Sequence, residues 1–278
     1  MVIGAAAMFG VALASGIKLS PDVDFYSLFS ESNNSLLLKL GIGLNHLSIF
    51  TCSSIAFAYI LMREKWKSYF HWNHLDDKMM IKFVLLLFVS MPIITATAMA
   101  LQQLELPDWA NQLDNESIEA LSQLLEMDNI LDLVINLTVI ALLPALGEEL
   151  LFRGIIQKEL VKKLVNPHVA IFIASFVFSA IHFQVMGFLP KFFLGLIFGY
   201  AYYWTKSLWY PMMLHFINNG LQVVILYFGP DIDASQIETA QENLNPLPIM
   251  ISVVISIGLC YLIIKSILDQ LKQEQSIV

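Results

Sequence analysis

The chain has 278 residues, 57% of them hydrophobic and 14% charged, with a formal net charge of −8. Soluble domains carry about a quarter charged residues, so this composition excludes an ordinary soluble globule. The acidic balance excludes a nucleic-acid binder, which needs basic stripes.

A helix needs roughly 20 predominantly apolar residues to cross the hydrocarbon core. The candidate spans are 1–17, 36–62, 83–101, 130–146, 169–185, 192–204, 208–228 and 247–264. In the first, Ala6, Gly10 and Ala14 repeat every four residues, which suits close helix packing in lipid. Ala12-Leu13-Ala14 also resembles a signal-peptide cleavage site, but no basic residue precedes the run, so a retained helix is expected. The second span carries Asn45 and His46, read as inter-helix hydrogen bonding or a place near the membrane surface. Arg63, Lys65, Lys67, Lys78 and Lys82 follow it. After the third span, 102–129 holds no Lys or Arg. Within it Ile118, Leu121 and Leu125 fall at i, i+3 and i+7, so a short amphipathic helix is expected, lying on the membrane with Trp109 as an interfacial anchor.

Basic residues return after the fourth span (Arg153, Lys158, Lys162, Lys163), the sixth (Lys206) and the eighth (Lys265, Lys272). Alternate linkers hold few, and 229–246 holds none. By the positive-inside rule both termini are cytoplasmic. Cys52 and Cys260 lie inside spans and suggest no disulfide framework. The expected fold is all-α: a polytopic membrane helix bundle of about eight transmembrane helices. Its expected parts are an N-terminal region 1–129, a second bundle 130–266 and a cytoplasmic tail 267–278.

Ionisable residues at membrane depth are costly and are functional candidates. They concentrate in the second half: Glu148, Glu149 and Arg153 around the end of the fourth span, Phe178 to His182 in the fifth, and His215 to Asn219 in the seventh. With Lys162, Pro167 and Lys206 as cytoplasmic edges, the 1.5 Å helical rise puts Glu148 about 21 Å deep and His182 roughly 22 Å. The same arithmetic puts His215 at about 13 Å and Asn219 at about 19 Å. Three helices thus bring polar groups to comparable depth.

Glu149 and Arg153, at i and i+4, form an ion pair along one face, while Glu148 is rotated about 100° away and left without a local partner. Pro144 and Gly147 can interrupt or kink the helix nearby and free backbone groups. A carboxylate beside an imidazole deprotonates water, and His and Asn side chains donate to an oxyanion. The inventory therefore suffices for peptide hydrolysis: Glu148 as base, His182 orienting water, His215 and Asn219 as oxyanion donors. Ser179 lacks a nucleophile elbow. Glu148, His182 and His215 are also a donor set that zinc could use, although HExxH is absent. Water activation without metal is the favoured reading, because Asn is a poor zinc ligand and a good oxyanion donor.

These residues resemble the CAAX prenyl protease and bacteriocin-processing family (CPBP, or Abi) of intramembrane proteases, whose pattern is EExxxR, FxxxH and HxxxN. Here the motifs stand as Glu148-Glu149-Leu150-Leu151-Phe152-Arg153, Phe178 to His182, and His215 to Asn219, in order on separate helices. The resemblance covers 130–228; the first three spans match only in general character. It implies a helical bundle whose polar cavity opens toward cytosol and membrane, and endoproteolysis by the four residues in the roles above, with Glu149, Arg153 and Phe178 in support. The family is widely labelled metalloprotease, while a glutamate-and-water mechanism is the better supported view of its prenyl-protease members. The implied partners are membrane lipids and a prenylated protein or leader peptide, and the implied location is the plasma membrane of a prokaryote. Two other readings stay open: a non-proteolytic regulator or bacteriocin self-immunity protein on the same scaffold, and a transporter whose buried carboxylates relay protons or bind cations.

Overall fold

Backbone polar groups in long apolar runs find no water in a bilayer, so the runs satisfy themselves as helices. The computed structural model describes residues 35–164, 166–229 and 246–277, and among them there is no strand. The candidate first span and most of the linker 229–246 lie outside the described residues.

Helix α1 (residues 35–62) comprises Ser35–His46, a π-helical turn Leu47–Cys52 and Ser53–Met62. Helix α2 is Asp77–Gln102; Asp76 caps it by accepting from Met79 N at 2.8 Å, so it starts before the apolar run does. Helix α3 is Asp108–Leu124. Helix α4 is the unbroken run Ile130–Lys163, opened by Asn129, whose Oδ1 accepts from Leu131 N and Asp132 N. Helix α5, Pro167–Ala180, begins with Pro167 in the first turn and Asn166 as cap. Helices α6 (Phe188–Thr205), α7 (Trp209–Phe228) and α8 (Pro246–Ile277) complete the described chain.

Among the described residues, four stretches are long and apolar enough to cross a membrane: Lys39–Tyr69, Asp77–Gln102, Ile130–Lys163 and Leu247–Gln273. Helix α5 is shorter, because the fifth run ends at Ala180 rather than continuing to 185. His182 therefore stands in a turn beyond the helix end, where its N–H bonds back to Ser179 O at 3.3 Å. The expected amphipathic helix is present as α3, and its residues Trp109, Ile118 and Leu121 are exposed. The docked side of α3 holds Ala110 and Asp114, 1% and 6% exposed.

Helix α4 occupies the middle of the bundle, flanked by α1, α5 and α7. One core joins α2, α6, α7 and α8 through Phe83, Leu87, Phe198, Tyr210, Leu214 and Ile267. A second joins α1, α4, α6 and the start of α7 through Ala58, Leu150, Ile155, Tyr202, Leu208 and Met212. Helix α6 carries Gly195 and Gly199 at i and i+4. A Cβ on Gly199 would stand 2.8 Å from Ile171 Cγ2, so the missing side chains let α5 lie close. They also bare two carbonyls to α4: Gly195 O accepts from Arg153 Nη2 at 3.0 Å, and Gly199 O from Gln157 Nε2 at 2.9 Å.

Candidate active site

Glu148 and Glu149 sit side by side on α4, both buried. As their rotation about the helix requires, they face different partners. Glu149 is fully buried, and its Oε1 accepts from Arg153 Nη1 at 2.8 Å, the i, i+4 pair expected from the spacing. The same oxygen lies 2.8 Å from His215 Nδ1. A carboxylate only accepts, so Nδ1 carries the proton and Nε2 points onward. Arg153 is held further by the rings of Phe178 and Phe198, 4.7 and 5.5 Å from its guanidinium carbon. The His215 ring stacks on Phe198 with centroids 5.2 Å apart.

Glu148 faces two imidazoles, His46 and the His215 that it shares with Glu149. Oε1 lies 3.1 Å from His46 Nε2 on α1, and Oε2 lies 4.0 Å from His215 Nε2. Oε2 is buried and makes no hydrogen bond among the described residues. His182 makes no ion pair with Glu148; its Nδ1 donates to Phe178 O at 2.8 Å, leaving Nε2 free of that bond. The His182 ring meets the edge of Phe178, which also meets His215. Phe178 thus packs against Arg153 and both motif histidines at once.

Asn219 is placed differently from a free donor. Its Nδ2 donates to Ile140 O at 3.0 Å, and its Oδ1 accepts from Asn218 Nδ2 at 3.0 Å. The carbonyl of Ile140 would normally accept from residue 144, which is Pro144 and has no N–H. The π-helical turn Leu137–Leu142 marks the same irregularity. One Nδ2–H of Asn219 remains uncommitted. Ser179, considered as a nucleophile, instead donates to Phe188 O and braces the turn that carries His182.

These seven motif residues fall within one matched segment. Residues 130–221 match the family described as type II CAAX prenyl endopeptidase Rce1-like. This segment is similar to that family over residues 130–221. The chain is similar to the membrane-embedded CAAX protease MroQ of Staphylococcus aureus (strain USA300), 31% identical over 97 residues, which are 33% of this chain and 39% of that protein. It is also similar to the uncharacterized protein YpbD of Bacillus subtilis (strain 168), 33% identical over 90 residues, 31% of this chain and 43% of that protein. The chain thus matches these curated relatives over less than half of their length. No solved structure matches significantly. The Rce1-like segment and the apolar helices together make this an integral membrane protein.

Zinc is the alternative that the sequence raises for Glu148, His182 and His215. Among the described residues no group of three or more His, Cys, Asp or Glu could hold a metal ion. Glu148 Oε1 is already bonded to His46.

Outside the Rce1-like segment, two polar residues reach the site region. The sequence reads His46 as an inter-helix hydrogen-bonding residue or one near the membrane surface, outside the site; the inter-helix bond exists, and its acceptor is Glu148. Depth was the signal available, since seventeen residues before Arg63 is about 25 Å at the helical rise, close to the depth of Glu148. Asp114 on α3 accepts from Val185 N at 2.8 Å and Met186 N at 3.0 Å, clamping the turn that follows His182. No local pattern marked Asp114, because its backbone partners Val185 and Met186 lie about seventy residues away in sequence.

Proposed function

We propose that this protein is an intramembrane endopeptidase that hydrolyses a peptide bond of a membrane-associated substrate, either a prenylated protein or a leader peptide. The observation that carries the reading is the asymmetry of Glu148: Oε1 is bonded to His46, while Oε2 is buried and makes no hydrogen bond among the described residues. Such an oxygen is available to take a proton from water. The Rce1-like segment supports a peptidase.

In this reading water sits between Glu148 Oε2 and His182 Nε2. Glu148 takes one proton, and the oxygen attacks the substrate carbonyl. The resulting oxyanion accepts from the uncommitted Nδ2–H of Asn219 and from Nε2–H of His215 when that ring carries both protons. Glu148 then returns its proton to the leaving amine. Glu149 and Arg153 hold His215 in place. No step is routed through a metal, so activity is expected to survive exhaustive chelation in protein shown to be metal-free.

The setting proposed with it is a prokaryotic plasma membrane, in keeping with the bacterial relatives, with eight spans and both termini cytoplasmic. Residues 130–266 form the catalytic bundle, 1–129 the N-terminal region and 267–278 the tail, and lipids are the other partner.

The test is a cleavage assay in liposomes with wild type and Glu148→Gln, offered prenylated CAAX peptides and small leader peptides. Cleavage by wild type alone is expected. Equal cleavage by folded Glu148→Gln would remove Glu148 from the mechanism, and no cleavage of any peptide would favour a regulator or immunity protein.

A further inference from the structure

His46 lies 102 residues before Glu148 and outside the segment that matches the Rce1-like family, yet its Nε2 is 3.1 Å from Glu148 Oε1. Since the carboxylate only accepts, the ring nitrogen donates. Three local features put that N–H there. The ring stacks on Phe50, centroids 4.4 Å apart, which fixes its plane. The residue before Glu148 is Gly147, where a Cβ would stand 3.1 Å from His46 Cε1, 2.9 Å from Phe50 Cβ and 2.8 Å from Thr51 Oγ1. The absent side chain lets α1 approach α4 at this point. The π-helical turn Leu47–Cys52 begins at the next residue, and such turns re-aim side chains at functional sites.

The other ring nitrogen does not behave like part of a simple tether. His46 Nδ1 is buried and makes no hydrogen bond among the described residues. An unsatisfied polar atom at membrane depth is costly, and an aliphatic contact would join two helices without that cost. What the imidazole supplies beyond packing is a single N–H on one oxygen of Glu148.

We infer that His46 is a positioning residue for Glu148, whose Nε2–H holds Oε1 and so makes Oε2 the oxygen that accepts the proton. The inference rests on the reading of Glu148 as the base. The water proton goes to Oε2, and His46 keeps its own proton throughout. Helix α1 thereby becomes part of the working site.

The test uses the full chain with three variants: Glu148→Gln, His46→Leu, which keeps bulk and removes the donor, and His46→Gln, which keeps an N–H donor. The carboxylate infrared band lost in Glu148→Gln reports Glu148 without any need for cleavage. It is expected to shift in His46→Leu and to return toward its wild-type position in His46→Gln. In the cleavage assay His46→Leu should lower kcat about 10- to 100-fold, the effect of one hydrogen bond to a charged group, with KM little changed and substantial recovery in His46→Gln. An unmoved Glu148 band in His46→Leu overturns the inference, as does loss of activity that only follows thermal stability and is equal in both His46 variants. Wild-type cleavage by Glu148→Gln would instead overturn the reading of Glu148 as the base, and the infrared band would still decide whether His46 holds Glu148.

Discussion

Glu149 accepts the Nδ1–H of His215 over 2.8 Å on the same oxygen that receives Arg153. The second glutamate of the motif thus joins two helices and sets which nitrogen of His215 points toward Glu148. Spacing alone suggested only the Arg153 pair, and hence a purely structural role.

Replacing Glu149 should therefore harm both stability and chemistry. Glu149→Ala leaves Arg153 buried without its counter-ion, a loss of about 3–5 kcal/mol. It also releases His215. The expected result is a lowered thermal midpoint together with a fall in kcat measured on the fraction still folded. A stability loss with unchanged kcat would return Glu149 to a structural role.

Asn219 and Pro144 should be energetically coupled through Ile140. Asn219→Ala leaves the Ile140 carbonyl without its donor, at a cost of about 1–3 kcal/mol. Pro144→Ala restores a backbone N–H that the helix can use for the same carbonyl. The double variant should lose less stability than the two single losses combined, by about 0.5–3 kcal/mol. Strict additivity in thermal or denaturant unfolding would contradict this account.

Gly147 and Gly41 make a contrasting pair on facing helices. A Cβ on Gly147 would meet α1 at under 3 Å, whereas one on Gly41 meets nothing within 4 Å. Gly147→Ala should destabilise by about 1–3 kcal/mol through overpacking and slow cleavage by pushing His46 away. Gly41→Ala should be neutral or stabilising by up to about 1 kcal/mol. Thermal midpoints and initial rates of both variants check the contrast.

Asp114 should control the order of the turn after His182. Asp114→Ala leaves Val185 N–H and Met186 N–H without their acceptor, each worth about 1–3 kcal/mol if it stays buried. Amide hydrogen exchange at 181–187 should rise while α4 and α7 stay protected, and kcat should fall. Asp114→Asn, which keeps one acceptor oxygen, should be intermediate. Unchanged exchange in Asp114→Ala would show that the turn holds itself.

Much of this protein was legible in one dimension. Hydropathy set the helical runs, because a buried backbone in lipid has no other way to satisfy itself. The i, i+4 spacing of Glu149 and Arg153 determined their pair, since that contact lies within one helix. Pro144 signalled a freed carbonyl from covalent structure alone. What only the tertiary structure decided is which faces of different helices meet. Depth along a helix follows from counting residues, but the rotation of one helix against another depends on side-chain packing across the interface. Thus His46 on Glu148, His215 on Glu149, Asn219 on Ile140 and Asp114 on the turn beyond α5 emerge only from the folded bundle. The end of α5 at Ala180 belongs with them, because Ser179 and Asp114 hold a turn where the apolar run alone would continue a helix.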